Sequence, residues 1–108
     1  MKSKVIESRF EAIFTKEELE RISIREECGI EVVVADLHQM SRAAAKRFIK
    51  NIIAAVRLAF ELLIVHGYHH GTALRDMFRV DFSNSRIKAV VPDFENDGRT
   101  ILMVGVAQ

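Results

Sequence analysis

Apolar positions along this chain fall into two near-continuous runs and two stretches of helical period. Ile30 to Leu37 is a valine-rich run, and Leu58 to Val65 is a second. Runs of this kind predict strands covered on both faces. Between them, Ala45, Phe48, Ile49, Ile52 and Val56 follow helical spacing behind Ser41, a good N-cap. Thr72 to about Phe82 predicts another helix, with Ala73, Leu74, Met77 and Phe78 on its core side. Ser83 to Ser85 reads as a loop and Lys88 to Pro92 as a short strand. Glu95-Asn96-Asp97-Gly98 carries a strong hairpin signal, and Thr100 to Val106 closes the chain as a strand. The order βαβαββ predicts an α/β layer fold with parallel pairing of its first two strands.

Residues 1–29 read as a partly helical N-terminal extension to a main domain at 30–108. Thr15 followed by Glu18 has capping-box spacing and predicts a short helix over about 16–22. Phe10, Ile13, Phe14, Leu19 and Ile22 give this segment an apolar face, and Cys28-Gly29 marks a turn. The single cysteine excludes a disulfide framework and fits a reducing, cytoplasmic setting. The most apolar stretch, Ile52 to Val65, is broken by Arg57 and Glu61, so no membrane span is expected.

Charge changes the picture more than composition does. The net charge of +1 conceals a net −2 over residues 1–31 and a net +6 over residues 37–90. Arg42, Lys46 and Lys50 repeat every four residues on one face of the first core helix. Such a stripe suits a polyanion such as nucleic acid, and equally suits a plain solvated helix face.

The histidines concentrate the chemistry. His38 follows the first apolar run, and His66, His69 and His70 follow the second in a turn framed by Gly67 and Gly71. Parallel strands joined by one helix place both clusters at the same sheet edge, where α/β sheets bind ligands. There, Asp36, His38 and His66 suit phosphodiester cleavage, since imidazole exchanges protons near neutral pH. Thr72 at a helix start, Arg75 and the stripe of Arg42, Lys46 and Lys50 supply phosphate-binding groups, and Tyr68 offers a ring to stack on a base. Each residue also has a structural role open to it: Asp36 as a loop cap, His38 as a carbonyl-bonded histidine, His66 as a satisfied, half-buried one, the glycines for turn geometry. Asp36, His66, His69 and His70 include metal-donor types, but their spacing is no zinc signature. No cofactor is assigned; a divalent metal is compatible and not required.

Asp36-Leu37-His38 after a strand, then Ile64-Val65-His66-Gly67 leading through Gly71 to Leu74-Arg75, resembles the small MutS-related (Smr) domain over about residues 30–108. The family pattern is Asp-Leu-His-Gly at the first strand end and a His-Gly-x-Gly-type turn at the second. Gln39 stands at the first motif's glycine, and Tyr68-His69-His70 departs from the second. The resemblance implies a compact two-layer sandwich similar to the C-terminal domain of translation initiation factor 3. It also implies an endonuclease that nicks DNA or cleaves RNA, in some members at stalled ribosomes, with Asp36 and His38 in cleavage. His66, Gly67 and Gly71 would then serve nucleic-acid binding and activity. The alternative is a non-catalytic nucleic-acid- or ribosome-binding module of the same fold.

Overall fold

A computed structural model describes residues 2–67 and 72–108. The elements run α1 (Lys2–Ile13), α2 (Lys16–Glu20), β1 (Ile22–Glu27), β2 (Ile30–Asp36), α3 (Arg42–Ala55), β3 (Phe60–Val65), α4 (Thr72–Asp76), β4 (Ile87–Pro92) and β5 (Arg99–Val104). A π-helical turn, Met77–Asp81, extends α4. The strands form one mixed sheet in the order β1-β2-β3-β5-β4. β2 and β3 are parallel, with Val34 opposite Leu63 and Asp36 opposite Val65. The other pairs are antiparallel.

Local chemistry accounts for the element ends. Thr15 and Glu18 form the reciprocal capping box that starts α2. Ser41 Oγ accepts the Ala44 amide at 3.1 Å and starts α3. β3 starts at Phe60, two residues later than the apolar run predicts, because the Leu58 carbonyl is taken by the Arg86 guanidinium. β5 stops at Val104, short of the expected Val106. Beyond it, Gly105 bonds back to Arg86 and Ala107 to Arg57 instead of the neighbouring strand.

The core lies between one face of the sheet and the helices. Val33, Ala35, Phe60, Leu62, Ile64, Leu102 and Val104 supply the sheet side. Phe48, Ile49, Ile52 and Ile53 of α3 and Leu74, Met77 and Phe78 of the second helical segment face them. Ala73, expected on that side, is exposed. The opposite sheet face carries Val32, Val34, Leu63, Ile101 and Met103, of which Val34, Ile101 and Met103 are partly exposed. The double covering that the apolar runs predict is therefore not what the described residues form. Burial between strand neighbours takes its place for Val32 and Leu63, at 3% and 7% exposure.

Residues 1–29 share this core. Ile6, Phe10 and Phe14, spaced four apart on and just after α1, are buried within it. Phe14 meets Phe48 of α3 edge-on at 5.4 Å. β1 adds an edge strand that the sequence reading did not anticipate, joined to β2 by the Cys28-Gly29 turn. Both turn residues have positive φ, 52° and 80°, the geometry of a two-residue type I′ hairpin. No helix among the described residues is long and apolar enough to cross a membrane.

Candidate functional site

The ends of β2 and β3 lie side by side. The Leu37 amide donates to the Val65 carbonyl at 2.9 Å, one residue beyond the last paired positions. Just past this point Asp36 and His38 form a dyad. One carboxylate oxygen of Asp36 accepts the His38 amide at 3.0 Å and the His38 ring Nδ1–H at 2.9 Å. A carboxylate only accepts, so Nδ1 carries a proton toward Asp36, and in the neutral ring Nε2 is the acceptor. The His38 side chain is 63% exposed. Burial works to raise the Asp36 pKa. The amide and ring hydrogen bonds of His38, with the charges of His38 and Arg21, outweigh it and hold the carboxyl below its ordinary value.

Arg21 is a site residue that sequence reasoning missed. Its guanidinium donates to the carbonyls of Asp36 at 3.0 Å and His38 at 2.9 Å, and its own carbonyl accepts the Asp36 amide. The antiparallel register of β1 on β2 brings it there, with Ile22 opposite Ala35. Gln39 follows with φ of 63°, in the left-handed region that favours glycine. The chain then reverses through the Met40 amide bond to Leu37 and enters α3.

His66 is built differently. It is 2% exposed, and both ring nitrogens are occupied. Nδ1 lies 2.7 Å from the Gly67 carbonyl and Nε2 lies 2.8 Å from the Thr100 hydroxyl. The carbonyl can only accept, so Nδ1 carries the proton and Nε2 accepts from Thr100. That hydroxyl in turn accepts from Arg79 Nε at 2.9 Å. Burial pushes the His66 pKa down; the Gly67 bond opposes this, and the Arg79 and Arg75 charges add to it. His66 is thus a neutral, satisfied histidine rather than an exposed proton carrier. Gly67 takes a φ of 76°, and the amides of His66 and Gly67 both donate to the Gly98 carbonyl at 3.0 Å.

The cations divide into two groups. Arg75 is committed to Asp97 at 2.7 Å and to Asp76 at 3.2 Å, and Arg79 to Asp97 at 3.2 Å. Arg42, Lys46 and Lys50 are exposed on α3. Arg42 stands at the site edge, and Lys50 lies eight residues on, about 12 Å along the helix. Arg42 and Lys46 border a cleft of about 230 Å³ with Met77, Asp81 and Phe82. A roomier cavity of about 510 Å³ opens among Ile30, Leu58, Phe60 and Met103. It lies at the opposite ends of β2 and β3, away from the dyad, and has no histidine in its lining.

Thr72 is exposed at the start of α4. Tyr68, His69, His70 and Gly71, expected to complete the edge, lie outside the described residues. Among the described residues no group of three or more His, Cys, Asp or Glu side chains is arranged to hold a metal ion. Arg79, Thr100 and Asp97 also escaped sequence reasoning, since they meet His66 only through the β3–β5 register. Comparison with known protein families, with curated proteins and with solved structures found no match.

Proposed function

We propose that this chain is an Smr-type endonuclease that cleaves or nicks RNA or DNA, with His38 moving the proton and Asp36 orienting it. The observation that carries the reading is the Asp36–His38 dyad, exposed at the C-terminal edge of a parallel strand pair with Nδ1 on the carboxylate. Nε2 takes the proton of the nucleophile, an RNA 2′-hydroxyl or a water, as its oxygen bonds to phosphorus; the P–O bond to the leaving oxygen breaks, and the imidazolium, paired with the Asp36 carboxylate, gives that oxygen the proton. Arg21 holds the loop carbonyls on either side of the dyad, which keeps the ring in place. Two features support the resemblance. From β2 onward the elements follow the βαβαββ order, and Gln39 takes positive φ where the family pattern has glycine. His66 contributes by position: its network ties the ends of β3 and β5 together beneath the edge.

A second reading, a non-catalytic nucleic-acid- or ribosome-binding module, draws on one observation. With His66 sealed, His38 is the only exposed imidazole among the described residues. End-labelled RNA and supercoiled plasmid, each with and without Mg²⁺, separate the two readings. The endonuclease reading expects cutting that His38→Ala lowers by about 100-fold or more, the usual contribution of a proton-transfer group. Binding without any cutting by the unaltered protein would leave only the second reading.

A further inference from the structure

We propose that Phe94 is a stacking platform for an unpaired nucleobase, which makes single-stranded nucleic acid the ligand of this edge. The inference rests on the nucleic-acid reading above and names its substrate class. Phe94 is 93% exposed, the most exposed large apolar side chain described. A lone exposed apolar residue is ordinary. Phe94 stands out by its place and its mounting.

Its place is the sheet edge of the dyad. The turn from Asp93 to Gly98 joins β4 to β5, and β5 starts with Arg99 opposite Val65 at the end of β3. The Gly98 carbonyl accepts the His66 and Gly67 amides, which fixes the turn to that edge. From β2 to β4 is three strand spacings, about 14 Å. That is about four nucleotides of stacked strand at roughly 3.4 Å each. One strand can therefore lie across the edge with a phosphate at His38 and a base at Phe94.

The mounting is rigid. The Asp93 carboxylate accepts the Glu95 amide at 3.0 Å and the Asp93 carbonyl accepts the Asn96 amide at 3.1 Å. The Asn96 side chain accepts the Gly98 amide at 2.9 Å, and Asp97 is held by Arg75 and Arg79. A backbone braced in this way loses little further freedom when the turn is covered. Of the turn's three acids, Asp97 is held by the two arginines and Asp93 by the Glu95 amide and by Arg99 at 3.9 Å, while the Glu95 side chain is exposed. Arg99, with its side chain 43% exposed, is the cation at the far end of the turn.

The chemistry then selects the ligand. Phenylalanine has no hydrogen-bonding group, so it offers its face to any base and reads no base edge. Bases inside a duplex already have both faces stacked, whereas an unpaired base has one to give.

The chain contains no tryptophan, so Phe94→Trp carries a single indole as reporter. Titration with a mixed-sequence single-stranded 12-mer should quench the indole, and the blunt duplex of the same sequence should not. Phe94→Ala should weaken single-strand binding about ten- to hundred-fold, the worth of one stacked base, with duplex binding unchanged. Single-strand binding by the unaltered protein that Phe94→Ala leaves intact would overturn the stacking role alone, keep the nucleic-acid reading, and point Phe94 at a protein pocket instead. Binding of neither oligonucleotide by the unaltered protein would overturn both.

Discussion

His38 and His66 follow neighbouring parallel strands, yet their rings see opposite surroundings, and strand alternation explains why. Val33, Ala35 and Leu37 point into the core, so His38 falls out of phase with them and faces water. Leu62, Ile64 and His66 are in phase, so His66 is carried inward to Thr100. This difference was legible in the spacing of the two histidines from their strands. Position at the end of an apolar strand made both look like site residues. Stability should record the consequence. The folded pKa of His66 lies below the ordinary 6.5. Above pH 6.5 the ring is neutral in both states, and its stabilisation is fully present. As pH falls below 6.5 the unfolded chain takes up a proton that the folded protein refuses, and stability declines until the folded pKa is reached. Urea unfolding between pH 5 and 7.5 should therefore show a falling midpoint that His66→Gln flattens, at the cost of a lower midpoint throughout. A slope that persists in His66→Gln would assign the missing proton to another group.

At the scale of elements, the segments with strong periodicity were legible and the segment that completes the sheet was not. The stripe from Ala45 to Val56 is buried as its spacing predicts, and Thr15 caps its helix as its box predicts. β1 carries the alternation Ile22-Ser23-Ile24-Arg25, but four of its six residues are exposed, as befits an edge strand, so its apolar signal is thin. Its pairing with β2 follows from a turn whose Cys28 adopts a conformation usual for asparagine or glycine, and sequence alone gives little warning of that. Arg21 was invisible for the same reason: it reaches Asp36 and His38 only once the register exists. In α1, Ile6, Phe10 and Phe14 repeat every four residues, a signal that could have extended the helix reading to the start of the chain. Since Phe10 is 2% exposed and packs on Phe14, Phe10→Ala should cost about 3–5 kcal/mol. Circular dichroism at 222 nm and near-ultraviolet signals should still lose structure in one transition. Early loss of α1 alone, with the sheet melting at its original midpoint, would mean that residues 1–29 are a separable unit.

At the scale of the whole molecule, the charges that matter for a polyanion are those without an internal partner. Arg75 and Arg79 sit at the site edge but share Asp97 and bond the sheet end, so a phosphate would have to compete for them. The exposed cations of α3 have no ion pair in the structure's described residues, and residues 37 to 60 hold no acidic residue to offset them. The phosphate path should therefore extend from the edge shared by Phe94 and the dyad on down the Arg42, Lys46 and Lys50 face. For single strands each released counterion contributes about 0.7 to the slope of log affinity against log salt. Changing these three residues together to alanine should lower that slope by about two, and should scarcely move the unfolding midpoint because all three side chains are exposed. Arg75→Ala should do the reverse, lowering the midpoint through loss of the Asp97 and Asp76 bonds while leaving the slope near its original value. A triple variant with an unchanged slope would move the strand off α3. The strand would then be confined to the sheet edge between the dyad and Phe94, where Arg99, 3.9 Å from Asp93, begins β5.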